Sequence, residues 1–243
     1  MDTTAQGILS TLIYHDQFDY PLTRDECWRW WYGGRDEAPT RERVEAACRQ
    51  LIADGRVLAT GGFLHLPKRE PIVALRIERA GHNHIKWHNA RRAARWLQTV
   101  PFFRYLAVCN TVAINNGKPE SDVDVFIVAR RGRLWLTRAL VTAVVQSLGL
   151  RRHGTKIANR VCLSFFVTDA ALDFSPLLLK PADPYFAFWV AQLVPLYDPD
   201  NLSGTIRANN AWVTGSLPNA FSTRPSTPYS LLTPVSSTPN NGS

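Results

Sequence analysis

The stretch Ser121-Asp122-Val123-Asp124-Val125-Phe126-Ile127-Val128 constrains this chain more than any other. Two acids precede four consecutive apolar residues, the composition of a buried strand with a charged mouth. On a strand, residues two apart point to the same face, so Asp122 and Asp124 would stand side by side. Neighbouring carboxylates repel and resist burial unless a cation lies between them. Hard divalent cations, above all Mg²⁺, suit such an oxygen pair completed by phosphate oxygens. Read alone, the same pair also fits a solvated strand end carrying two surface acids.

The rest of the chain supplies the setting. Its 243 residues are 45% hydrophobic, with 8 Trp, which is enough for a real core. No window offers the roughly 18 uncharged apolar residues of a membrane span. The start, Met1-Asp2-Thr3-Thr4, has neither a basic lead nor an apolar signal stretch. The four cysteines are far apart without a CxxC pair, which disfavours structural zinc and a disulfide framework. A cytoplasmic location is the expectation.

Charge is divided unevenly. Residues 1–67 hold 7 basic and 10 acidic residues, net −3, whereas 68–218 hold 20 and 10, net +10. The second part would attract an anionic ligand such as a nucleotide or nucleic acid.

The first 67 residues predict a winged helix-turn-helix-like module. Ile8, Leu9, Leu12 and Ile13 are spaced for a helix from Thr4 to Tyr14. Thr23 and Glu26 form a capping box for a second, Trp-rich helix running to Gly33-Gly34. Thr40 caps a third helix striped by Val44, Cys48, Leu51 and Ile52, and segments 56–59 and 63–66 flank a Gly61-Gly62 hairpin turn. DNA binding by this module is only weakly supported, because a net-negative unit gains little from phosphate neutralisation.

Beyond it, the pattern predicts a long helix from about Pro71 to Leu97, in which His82, His84 and His88 read as a solvated basic face rather than a metal site. A strand is expected over Phe102–Val108, a loop or short helix start from Cys109, a helix over Leu134–Leu148 and a strand over Arg160–Val167. Further helical patterns follow at 185–193 and 204–213. Residues 219–243 are rich in Ser, Thr, Pro and Asn and read as a disordered tail.

An apolar strand opening on Asp-x-Asp, some ten residues after a strand and a small-residue turn, resembles the DNA polymerase β-like nucleotidyltransferase superfamily. More closely, the chain is similar to uncharacterised bacterial nucleotidyltransferase-domain proteins with an N-terminal helical module. The likeness rests on Tyr20-Pro21-Leu22-Thr23, Trp28 to Trp31, Asn115-Asn116, the Ser121–Asp124 segment, Gly132 to Arg138, Cys162-Leu163, Pro195-Leu196-Tyr197 and Asn209 with Trp212. It covers nearly everything up to Asn219.

The resemblance implies an α+β fold, with a nucleotidyltransferase-like mixed sheet flanked by helices behind the winged-helix-like module. It implies Asp122 and Asp124 as catalytic metal ligands for Mg²⁺ or Mn²⁺, and Asn110, Thr111, Ser121 and Lys118 on a nucleoside triphosphate, with Arg133 a further contributor. The reaction would move a nucleoside monophosphate to an acceptor hydroxyl of unknown identity. Two positions depart from the pattern: Asn110-Thr111 stands where the superfamily has Gly-Ser, and Ser164 stands where a third carboxylate is expected, with Asp169 and Asp173 just beyond. A catalytically degenerate nucleotide-binding or DNA-associated regulator is therefore the alternative expectation.

Overall fold

The computed structural model describes residues 2–34 and 38–222. The chain begins with three helices, α1 (Thr3–Asp16), α2 (Arg24–Arg29) and α3 (Arg41–Ala53), and a hairpin of β1 (Leu58–Thr60) and β2 (Phe63–His65). Gly61 and Gly62 both take positive φ, 57° and 85°, as a two-residue turn matched to strand twist requires. Leu22 bridges Leu64 in antiparallel fashion and ties the hairpin to the helices.

The capping box at Thr23 and Glu26 forms as expected, but α2 stops at Arg29 rather than near Gly33. The chain unwinds there to bury Trp31, whose ring lies across Gly7 of α1 and donates Nε1–H to the Thr4 carbonyl at 3.0 Å. A Cβ on Gly7 would fall 2.1 Å from that ring, so only glycine admits the contact. The Thr11 hydroxyl accepts the Tyr32 N–H freed by the early stop.

Helix α4 spans Pro71–Leu97, with proline in its first turn. Strand β3 (Phe103–Val108), the short helix α5 (Asn110–Ala113), β4 (Val123–Ala129), α6 (Leu134–Ser147) and β5 (Val161–Thr168) follow. The described chain closes with α7 (Pro184–Ala191), β6 (Val194–Tyr197), α8 (Leu202–Asn209) and α9 (Val213–Ser216). The helix expected over 204–213 is thus split, with Asn210 between its halves.

Four strands make one mixed sheet, ordered β5-β4-β3-β6. Strand β4 runs parallel to β5, and β3 is antiparallel to both β4 and β6. The architecture is therefore α+β, with a mixed sheet flanked by helices. Alternation on β4 sends Val123, Val125 and Ile127 to a core shared with α4 and α6. Phe126 and Val128 face the opposite core, which they share with α7 and the three N-terminal helices.

That second core runs from Ala5 through Leu64 to Leu217, across the expected boundary at residue 67. An ion pair reinforces the junction. Arg76 of α4 makes a two-pronged contact with Glu26 at 2.8 and 2.9 Å, with side chains only 5% and 6% exposed. Arg76 also covers the Tyr20 ring at 4.0 Å. Asn219 and Ala220 are buried too, and the Asn219 amide donates to the Trp28 carbonyl at 3.1 Å. Packing thus extends past Pro218; the tail from residue 223 onward lies outside the described residues.

Candidate functional site

Asp122 and Asp124 do come together, and a third residue joins them. One carboxylate oxygen from each and the Cys162 Sγ all lie within 4.8 Å of one another. Asp122 stands just before β4 and Asp124 within it, so the rigid central strand fixes both. Cys162 is the in-register partner of Asp124 on parallel β5. A register shift follows between Asp124 and Phe126. The position beside the acids therefore falls to Cys162, with the Ser164 hydroxyl 2.8 Å from its sulfur. Burial pushes the Cys162 thiol above its usual range, keeping it neutral.

Neither later acid supplies the missing carboxylate. Asp169 lies beyond the far end of β5, where it accepts from Arg104 at 2.7 Å and from the Arg131 N–H at 2.8 Å. Asp173 caps the turn at Ser175.

The Asn110 turn reaches the acids directly. Asn110 sits at φ 57°, in the left-handed region that glycine favours and that asparagine tolerates best among other residues. Its amide donates to Asp124 Oδ2 at 2.7 Å, and its carbonyl oxygen accepts Trp189 Nε1–H at 2.9 Å. The Cys109 N–H also donates to the Asp124 backbone carbonyl. Trp189 was not singled out from the sequence; its one signal was a place on an aromatic-rich helix beside Phe186 and Phe188.

The remaining residues expected at the site divide. Thr111 is exposed on the same turn. Ser121 and Lys118 belong to the turn leading into β4, where the Ser121 hydroxyl donates to the Lys118 carbonyl at 2.8 Å and the Lys118 side chain is exposed. Arg133 stands beyond the opposite end of β4, against the Phe102 ring, and so does not contribute to a field at the acids.

Two basic residues missed in the sequence matter more. Arg152 Nη1 lies 2.7 Å from Asp122 Oδ2 and 3.5 Å from Cys162 Sγ. Lys86, from α4, is 0% exposed and donates to the Ser121 carbonyl at 2.7 Å and to Asn159 Oδ1 at 2.8 Å. It pins the approach to Asp122 against the loop before β5, and burial lowers its pKa. No period or motif announces either role, because each depends on how loops meet in space.

The acids stand in a basic surround. Glu120, Asp122 and Asp124 are the only acidic residues between Arg79 and Thr168. An anion approaching the pair meets a positive field, and a cation bound to it would partly neutralise both carboxylates. The two carboxylates match the oxygen preference of Mg²⁺ or Mn²⁺, while the neutral thiol does not. The donor set therefore fits two protein ligands, with further positions left to water and phosphate.

The three histidines on α4 are exposed, and the Asp122–Asp124–Cys162 group is the one cluster of metal-type donors among the described residues. In α3, Arg41 faces Asp25, and Arg49 pairs with Glu45 at 3.3 Å. No helix among the described residues is long and apolar enough to cross a membrane. No protein-family model, curated protein or solved structure matches the chain.

Proposed function

We propose that this protein binds a nucleoside triphosphate through a divalent cation at Asp122 and Asp124 and transfers its nucleoside monophosphate to an acceptor hydroxyl. The observation that carries the reading is the convergence of Asp122 and Asp124 at the mouth of a central strand, with the left-handed Asn110 turn bonded to Asp124. A divalent cation there would offset charge on the phosphates as it builds toward the transition state.

The chain's own residues supply placement. β4 fixes the carboxylates, Asn110 orients Asp124, and Lys86 holds the approach to Asp122. In the transfer, the acceptor oxygen bonds to the α-phosphorus, the bond from that phosphorus to the bridging oxygen breaks, and pyrophosphate leaves. The hydroxyl proton passes to water, since no third carboxylate joins the pair among the described residues.

Arg152 and Cys162 favour a second reading, in which the triphosphate is bound but not transferred. Arg152 already compensates Asp122, and a neutral thiol fills the third position. Incubation with α-phosphate-labelled triphosphates, Mg²⁺ or Mn²⁺ and cell extract separates the two. Label transfer lost in Asp122→Ala and Asp124→Ala supports the enzyme. Triphosphate binding without transfer supports the sensor, and absence of binding rejects both.

A further inference from the structure

Behind the Asn110 turn lies a cavity of about 70 Å³, bounded by Tyr14, His15, Asn110, Tyr185, Trp189 and Gln192. It joins helix α1 of the N-terminal module to α7 and to the turn that holds Asp124. Its polar atoms are not used by the phosphate chemistry above. His15 is 1% exposed, and its Nδ1 lies 2.9 Å from the Thr11 carbonyl, so that nitrogen carries the proton. The Nε2 is then a buried acceptor, and it has no hydrogen-bond partner among the described residues. The Gln192 Nε2, a donor, is likewise without a partner. Buried polar groups are nearly always satisfied, so such a pair in one cavity calls for a ligand that completes it.

The walls favour a flat ring. Tyr14 stacks on Phe188 with centroids 4.0 Å apart, and Trp189 is held by Phe126 and Phe186 and by its bond to Asn110. Aromatic walls with one acceptor and one donor at the edge match a heterocycle that presents a donor beside an acceptor. Every nucleobase does so. Burial holds the His15 imidazole near pKa 4, so Nε2 stays an acceptor at neutral pH.

Asn110 connects this cavity to the acids, because it lines the one and bonds the other. We infer that the cavity receives the base of the bound nucleotide, so that the N-terminal module reads the base while Asp122 and Asp124 take the phosphates. The inference rests on the nucleotide-binding reading and adds to it a recognition role for α1.

Calorimetric titration of the full chain with ATP, CTP, GTP, UTP and inorganic tripolyphosphate, each with Mg²⁺, tests it. At least one nucleotide should bind about tenfold or more tightly than tripolyphosphate. His15→Phe and Tyr185→Ala should remove most of that preference while leaving tripolyphosphate affinity unchanged. Tyr185 stands exposed at the rim, so its variant remains informative if His15→Phe fails to fold. Equal binding of tripolyphosphate and all four nucleotides overturns the inference alone. So does a preference retained in folded His15→Phe or, where that variant does not fold, in Tyr185→Ala. Absence of all binding overturns the nucleotide reading and the base pocket together.

Discussion

Arg152 Nη1 sits 2.7 Å from Asp122 Oδ2, so a guanidinium already rests against one of the two carboxylates assigned to a metal. The two cations compete for one charge. Arg152→Gln should therefore tighten Mn²⁺ binding, by up to about fivefold, since a half-exposed ion pair contributes about 1 kcal/mol at most. Paramagnetic titration of free Mn²⁺ reads this directly. Unchanged or weakened affinity would mean that Arg152 and the metal do not share Asp122.

The Asn110 turn separates backbone from side-chain effects. Asn110→Ala loses the bonds to Asp124 and Trp189 and forces alanine into positive φ, for a combined loss of about 2–3 kcal/mol in urea unfolding. Asn110→Gly keeps the backbone comfortable and should lose less. Equal losses would show that the left-handed conformation is not costly here.

The Glu26–Arg76 pair tests whether the N-terminal helices and the sheet fold as one body. Arg76→Met leaves Glu26 buried without its partner and should cost about 3–5 kcal/mol. Adding Glu26→Gln should restore part of that loss. Because one core spans both parts, wild-type unfolding followed by circular dichroism and by tryptophan fluorescence should give coincident transitions. Two separated transitions would contradict this.

How much of this was legible depended on where the information lay. The bounds of α4, the body of α6 and strands β3, β4 and β5 follow from periodicity, which is local. Adjacency of Asp122 and Asp124 follows from the same rule. The third position beside them was misjudged: Ser164 was expected there, but the register between parallel strands, set through a crossover helix and an irregularity at Asp124, puts Cys162 in it. Helix α2 was overextended because its end is decided by where Trp31 packs against Gly7, 24 residues earlier. Arg152, Lys86 and Trp189 reach the site from separate elements, and no spacing rule connects them.

His15 gives the fold a pH signature. Burial lowers its pKa to about 4, while the unfolded residue titrates near 6.5, so the unfolded chain binds the extra proton first. Stability should be fully present above about pH 6.5 and fall as pH drops toward 4, with this residue accounting for about 3 kcal/mol. Urea unfolding of wild type and His15→Phe between pH 7 and pH 4 isolates the contribution as the difference between the two curves. A difference that does not change with pH would show that His15 is not the group responsible.

The central claim is that Asp122 and Asp124 together hold a divalent cation beneath a triphosphate. Binding of Mn²⁺ measured with and without ATP, in wild type and in Asp124→Asn, tests it most directly. The expected result is Mn²⁺ binding strengthened by ATP in the wild type and nearly abolished in Asp124→Asn, with the variant still folded. Equal Mn²⁺ binding by folded wild type and variant, with no response to ATP, would contradict it.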